Sequence, residues 1–242
     1  MRVAVISDVH GNLAALEAVL DAVDAEDPEE IWCLGDLVGY GPEPQACYER
    51  VVERAAACLG GNHDLVVAGR IGIEVFAYDA ADAAVWTQQV LPPELLEALG
   101  ALSPSGERAG VELYHASIRD PVWEYVLDDA TARACMRLQR SRLCLIGHSH
   151  VPLVFANIDR QTTGAAVDGD STVSFSEGTF LINPGSVGQP RDGDNRAAWL
   201  LLDLETETAS WRRVPYDIRR TQQAMLERGL PARLAARLAE GH

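Results

Sequence analysis

The sequence has no apolar run of 18 residues, and its first hydrophobic stretch, Val3 to Ile6, is too short for a membrane span or a secretory leader. A cytoplasmic protein is therefore expected. Cysteines are few: Cys33, Cys47, Cys58, Cys135 and Cys144 are odd in number and never fall in C-x-x-C spacing. That argues against a disulfide framework or a thiolate zinc cluster and predicts reduced, mostly core thiols. Positive charge is scarce, since 20 Lys and Arg against 36 Asp and Glu leave a net charge of −16. So acidic a surface repels a phosphate backbone, and nucleic acid is not expected as a partner. A small phosphate-bearing substrate must then find local positive charge, for which bound metal ions are one source. No serine or cysteine stands in a nucleophile elbow or a triad. No internal repeat, low-complexity run or linker divides the 242 residues, a length that suits one domain with a substantial core.

What is present is an alternation of short buried strands with helices. Arg2 to Ile6 is rich in Val and Ile, as a strand covered on both faces should be. Leu13, Leu16, Leu20 and Val23 recur at helical spacing behind Asn12, an N-cap residue. Ile31 to Leu34 reads as the second strand, Glu43 to Ala57 as a helix, and Ala57 to Leu59 as the end of a third strand. A helical insertion follows over about 65–102, with helices at Ile73 to Val90 and Pro93 to Leu102. Val111 to Tyr114 and Leu143 to Ile146 are two further strands, separated by a helix near Asp129 to Gln139.

Beyond Val151 strands alternate with turns: Val154 to Asn157, Val173 to Ser176, Phe180 to Asn183, Ala198 to Asp203 and Ala209 to Val214. This is the pattern of an antiparallel meander, with Asp159 to Asp170 as a long hairpin loop. One amphipathic helix over 217–240 closes the chain, with Met225, Leu226, Leu230, Leu234 and Leu238 as core contacts. The predicted fold class is α/β, a single domain over 1–242.

The informative residues lie just after the strands. Strand one runs into Asp8-Val9-His10-Gly11-Asn12, strand two into Gly35-Asp36, and the third into Gly60-Gly61-Asn62-His63-Asp64. The later two run into His115 and Gly147-His148-Ser149-His150. In an open α/β sheet, ligands bind beyond the carboxyl ends of the strands. Five of the six histidines fall in these segments, the sixth being His242. One histidine at a strand end is usually structural; five, joined by aspartates and an asparagine, point to metal. Imidazole, carboxylate and amide oxygen without thiolate suit Mn, Fe, Zn, Co or Ni.

In this order, Asp-x-His, Gly-Asp, Gly-Asn-His-Asp, a lone His and Gly-His-Ser-His resemble the calcineurin-like metallophosphoesterase superfamily. The run Asn183-Pro-Gly-Ser-Val-Gly-Gln-Pro190 is similar to small prokaryotic YfcE-type phosphodiesterases. The resemblance implies an α/β sandwich of two mixed sheets flanked by helices and a site for two divalent transition-metal ions, manganese foremost. Asp8, His10 and His150 would hold one ion, Asn62, His115 and His148 the other, and Asp36 would bridge them. His63 would sit over the scissile phosphate as proton donor, with Asp64 available to orient it. The segment Gly35-Asp36-Leu37-Val38-Gly39-Tyr40-Gly41 lacks the arginine of Gly-Asp-x-Val-Asp-Arg-Gly, and Asp64 stands where protein phosphatases carry Glu. A protein phosphatase is therefore disfavoured.

The expected reaction is hydrolysis of a small-molecule phosphodiester by in-line attack of a hydroxide held between the ions. A phosphomonoesterase or a nucleotide or dinucleotide polyphosphate hydrolase is the alternative, and a non-catalytic binding scaffold on the same fold stands further back. Further expected substrate contacts are Asn12, which also suits an N-cap, the rim aromatic Tyr40, and Arg191 as a source of the missing positive charge. Trp123 and Tyr125 follow His115 closely enough to line the pocket. The edge of the meander and the closing helix could pack on a second copy of the chain.

Overall fold

The computed structural model describes residues 1–242. The chain begins with β1 (Arg2–Ile6), α1 (Leu13–Glu26), β2 (Glu30–Cys33), α2 (Pro44–Arg54) and β3 (Ala55–Cys58). The insertion holds α3 (Asn62–Val67), a 3₁₀ turn (Ile73–Val75), α4 (Tyr78–Val90) and α5 (Pro93–Gly100). Next come β4 (Ser105–Arg108), β5 (Val111–Tyr114), α6 (Asp129–Met136) and β6 (Leu143–Leu145). The second half adds β7 (Pro152–Ile158), β8 (Gln161–Ala166), β9 (Thr172–Ser174), β10 (Thr179–Pro184), β11 (Ala197–Asp203) and β12 (Thr208–Val214). Helices α7 (Ile218–Glu227) and α8 (Ala232–Glu240) end it. No helix is long and apolar enough to cross a membrane.

The strands form two six-stranded mixed sheets, ordered β3-β2-β1-β11-β12-β9 and β4-β5-β6-β10-β7-β8. Each contains a parallel trio, β3, β2 and β1 in the first, and β5, β6 and β10 in the second. The sheets face each other across a core that includes Val3, Val5, Trp32, Leu113, Leu145 and Ile182. The intervening residues Ala4 and Ile6 of β1 turn outward, where Leu16, Val19 and Val23 of α1 cover them. Strand β1 is buried on both sides for this reason, which explains its unbroken apolar run. On the far side of the second sheet, Ala132 and Cys135 of α6 pack on Cys144, Phe155 and Leu181. The result is a four-layered sandwich, helices outside and sheets within.

The structure corrects several sequence expectations. The helix expected over 217–240 is two helices, because Gly229 adopts φ +72° and Pro231 has no N–H to continue the first one. Leu226 consequently points outward, 55% exposed, while Met225, Leu230, Leu234 and Leu238 pack with Ala83 of α4. The loop expected over 159–170 contains β8, and β4 occupies a stretch with no strand signal. Both are edge strands carrying Gly, Thr, Ser or charged residues, and their pairing partners rather than their own periodicity hold them extended. Leu181 lies on β10, flanked by strands on both sides and fully buried. Leu181→Ala is expected to lower stability by about 2–5 kcal/mol, read from urea denaturation with an unchanged m-value.

Candidate metal centre

The carboxyl ends of the two parallel trios converge at one edge of the sandwich. The segment after β1 carries Asp8 and His10, that after β2 carries Asp36, and that after β3 carries Asn62. From the second sheet, β5 delivers His115 and β6 delivers His148 and His150. Five of these residues hold left-handed backbone, with φ from 50° to 64°: Asp8, His10, Asp36, His148 and His150. Each such non-glycine residue costs on the order of 1 kcal/mol and persists only where surrounding bonds enforce it. Here Asp8 N–H donates to Gly35 O at 3.0 Å, His10 N–H to Asp36 O at 2.9 Å, and Gly188 N–H to Asp8 O at 2.9 Å. Gly61 lies so close to Asp36 that a Cβ there would overlap its carboxylate.

Two sets of side-chain donors gather at this edge: Asp8, His10, Asp36 and His150 in one, and Asp36, His115 and His148 in the other. Within each set the ligating atoms lie within 4.8 Å of one another, and Asp36 belongs to both. All are buried. His10 Nδ1 meets Val38 O at 3.2 Å, His115 Nδ1 meets Leu34 O at 2.9 Å, and His150 Nδ1 meets Gln189 O at 2.6 Å. A carbonyl only accepts, so each of these rings carries its proton on Nδ1 and turns an Nε2 lone pair inward. Burial pushes His10 and His150 well below the usual imidazole range and His148 down to about 2, so none carries a second proton.

The inward atoms are consequently acceptors facing acceptors. His10 Nε2 lies 3.1 Å from His150 Nε2, and His115 Nε2 lies 3.1 Å from Asn62 Oδ1. Asp36 Oδ2 is 3.5 Å from both His10 Nε2 and His115 Nε2 and, like His148 Nε2, has no hydrogen-bond partner. Burial drives Asp8 up to about 7 and Asp36 well above the carboxylate range, the latter also through the charge of Asp64. Lone pairs crowded in a buried pocket repel unless something positive lies among them. The donor set therefore fits divalent transition-metal cations, as imidazole, carboxylate and amide oxygen should.

With that geometry in view, comparison with known proteins is decisive. The family model of the calcineurin-like phosphoesterase superfamily domain matches residues 1–207. The chain belongs to this superfamily. An uncharacterised protein of Methanocaldococcus jannaschii is 35% identical over 247 residues, covering 99% of this chain and 98% of its own. A metallophosphoesterase structure from Sphaerobacter thermophilus superposes with a TM-score of 0.91 at 39% identity, over 100% of this chain and 99% of the other. A hypothetical protein of Pyrococcus horikoshii OT3 shares the fold, with a TM-score of 0.81, 20% identity and coverage of 100% and 98%.

The remaining expected site residues divide. His63 is buried beside the metal-ligand candidates, its ring 4.8 Å from His10, 4.4 Å from Tyr40 and 4.4 Å from Phe76 between centroids. Burial, then the charge of Arg191, hold it well below the usual imidazole range, so it is neutral. Asp64 does not orient the His63 ring. Its carboxylate accepts from the backbone N–H groups of Leu37, Val38 and Gly61 and braces the loop around Asp36, while His63 Nδ1 has no partner. Asn12 is engaged within the fold: Oδ1 accepts from Ala15 N–H and Thr221 O–H, and Nδ2 donates to Gly188 O, so the side chain ties α1 to α7 and to the turn after β10.

Tyr40 and Arg191 do meet at the rim. The guanidinium lies 6.0 Å from the Tyr40 ring centre and donates to Gln189 Oε1 at 3.0 Å. Tyr125 stacks on His148 at 4.1 Å, and Trp123 sits edge-on to Phe76. Sequence reasoning missed Phe76, which reaches the site from the insertion with no local motif to mark it. It also left the Asn183–Gln189 run without a job. Asn183 Nδ2 donates to Gly147 O and Ser186 O–H to Asp8 O, tying the loops of both sheets together. Gly61→Ala is expected to displace Asp36 and at least halve bound divalent metal by elemental analysis, with the far-ultraviolet spectrum unchanged.

Proposed function

We propose that this chain hydrolyses a small-molecule phosphodiester with the help of two divalent transition-metal ions, manganese foremost. The observation that carries this reading is Asp36 Oδ2, unpartnered and equidistant at 3.5 Å from imidazole nitrogens of both donor sets. Asp8, His10 and His150 would hold one ion and Asn62, His115 and His148 the other, with Asp36 shared between them. When bound, such ions supply Lewis-acid charge and acidify the water that attacks phosphorus in line.

The chain's own residues do the rest. Asp36 and Asn62 are fixed from behind, Asp36 Oδ1 by the His63 backbone N–H at 2.9 Å and Asn62 by its place at the start of α3. The aromatic side chains of Tyr40 and Phe76 pack on His63 and Tyr125 stacks on His148, and such weakly polar walls strengthen the charge interactions inside. Arg191 offers its guanidinium to a non-bridging oxygen of the ester, the role left open by the missing arginine after Val38. His63 aims a ring nitrogen at the departing oxygen. The proton it donates is taken up with the negative charge of the substrate, since the free site keeps the ring neutral.

A monoanionic diester needs less compensating charge than a dianionic monoester, and Arg191 supplies a single guanidinium beside Tyr40 at the rim. The five cysteines are unpaired, in keeping with action in a reducing compartment. With Mn²⁺ supplied, bis-p-nitrophenyl phosphate is expected to be cleaved with a kcat/KM at least about tenfold above that for p-nitrophenyl phosphate. A monoester preference would reverse the substrate assignment. Two bound ions with no hydrolysis under any of Mn, Fe, Zn, Co or Ni would make the chain a binding scaffold. His63→Ala is expected to lower turnover by roughly 10²–10⁴-fold at unchanged metal content; wild-type turnover in that variant would remove His63 from the chemistry.

A further inference from the structure

The chain has no lysine, so all 20 of its basic residues are arginine. Most pair with carboxylates at the surface, as Arg2 does with Glu26 and Arg108 with Glu30. Arg191, Arg233 and Arg237 form no ion pair with an Asp or Glu side chain, although the protein carries an excess of acid, and they gather in one place. A cavity of about 750 Å³ opens between the start of α4 and α8, lined among others by Tyr40, Asp79, Arg233, Arg237 and Glu240. Its volume is that of a small-ligand site.

Tyr40 is the wall between this cavity and the candidate metal centre. On one side its ring packs against His10 at 4.7 Å and His63 at 4.4 Å; on the other it lines the cavity. Its hydroxyl is 3.5 Å from Arg191 Nη2, and the Nε of Arg191 is buried without a partner. Arg237 is half-buried, and its Nε donates to His242 O at 2.7 Å, which leaves its terminal N–H groups free. Burial and then the charges of Arg191 and Arg233 make its protonated form harder to keep, while Asp79 and Tyr40 act the other way, so the three guanidinium groups lie close enough to repel one another. Asp79 and Glu240 share the cavity, yet neither forms an ion pair with either arginine. Arginine recognises phosphate bidentately through its planar fork, and unpaired guanidinium groups lose least when they do so.

We propose that this cavity binds a second phosphate group of the substrate, one that is not cleaved, on Arg237 and Arg233, with Arg191 between it and the scissile phosphate. The proposal rests on the phosphoesterase reading and names its substrate class: an ester whose second arm carries a further phosphate. The rest of the cavity receives the group joining the two.

Two measurements separate this idea from the reading beneath it. Metal-free protein is titrated with inorganic pyrophosphate by calorimetry, as wild type, as the double variant Arg233→Gln, Arg237→Gln, and as Arg228→Gln, a change outside the cavity. The double variant is expected to bind about tenfold or more weakly at an unchanged melting temperature, and Arg228→Gln like wild type. Equal affinity in all three overturns the site. The Mn²⁺-loaded proteins are then given p-nitrophenyl thymidylate with and without an added phosphate on its free sugar hydroxyl. Wild type is expected to favour the doubly phosphorylated ester about tenfold in kcat/KM, and the double variant to lose that preference while cleaving the plain ester normally. Cleavage of both esters at one rate by every protein overturns the subsite and leaves the phosphoesterase reading intact. Cleavage of neither, with pyrophosphate still held by the two arginines, overturns that reading and upholds the anion site.

Discussion

A carboxylate buried between two sets of imidazole lone pairs cannot be stable on its own. Asp36 is in that position, with Oδ2 unpartnered and His10 and His115 at 3.5 Å. Taking such groups out of water costs several kcal/mol unless opposite charge accompanies them. Much of the surrounding architecture makes sense as the apparatus that holds these acceptors together despite their repulsion. Backbone carbonyls fix three imidazole tautomers from behind. The Asp64 carboxylate braces the loop that carries Asp36. Five donors are kept in left-handed backbone that they would not adopt alone. A site preorganised at this cost is able to take up cations without having to rearrange.

The two-sheet core is what lets the halves of the site meet. Residues 8, 10, 36 and 62 ride on the first sheet, and 115, 148 and 150 on the second. The sheets share the core built on Trp32, Leu145 and Ile182, and the run after β10 then crosses between their edges. Val187 N–H donates to Ser7 O, Gly188 N–H to Asp8 O, and Ser186 O–H to Asp8 O, while Asn183 grips Gly147. The position of one donor set relative to the other is therefore fixed by hydrogen bonds as well as by packing. The insertion and the C-terminal helices form a second tier above this frame: α4 packs on α7 and α8, and Phe76 and Tyr40 reach down to His63.

Much of the fold was legible because its central strands are short, apolar and followed at once by polar motifs. Val3, Val5, Ile31 and Leu145 announce buried strands by composition alone. The edge strands β4 and β8 were not legible, since Ser105–Arg108 and Gln161–Ala166 are extended only through pairing with β5 and β7. The break in the closing helix was marked by Gly229 and Pro231, but the strong amphipathic period on either side masks it. At the site, Asp8, His10, Asp36, Asn62, His115, His148 and His150 could all be named from their spacing after strands. The tasks of Asn12 and Asp64 could not, because a short polar side chain serves a backbone N–H or a substrate equally well until its neighbours are known.

The sequence by itself determined the inventory of the site and its chemical character. Which residue types follow which strands is a local property, and histidine, aspartate and asparagine without thiolate select a class of cation wherever they converge. Only the tertiary structure decided how those residues face one another. The shared place of Asp36, the opposed lone pairs of His10 and His150, the neutral His63 beneath Phe76 and the unpaired arginines beyond Tyr40 all join residues far apart in the chain. Their relations depend on how two sheets and two sets of helices pack, a non-local balance of burial and hydrogen bonding that no local pattern encodes.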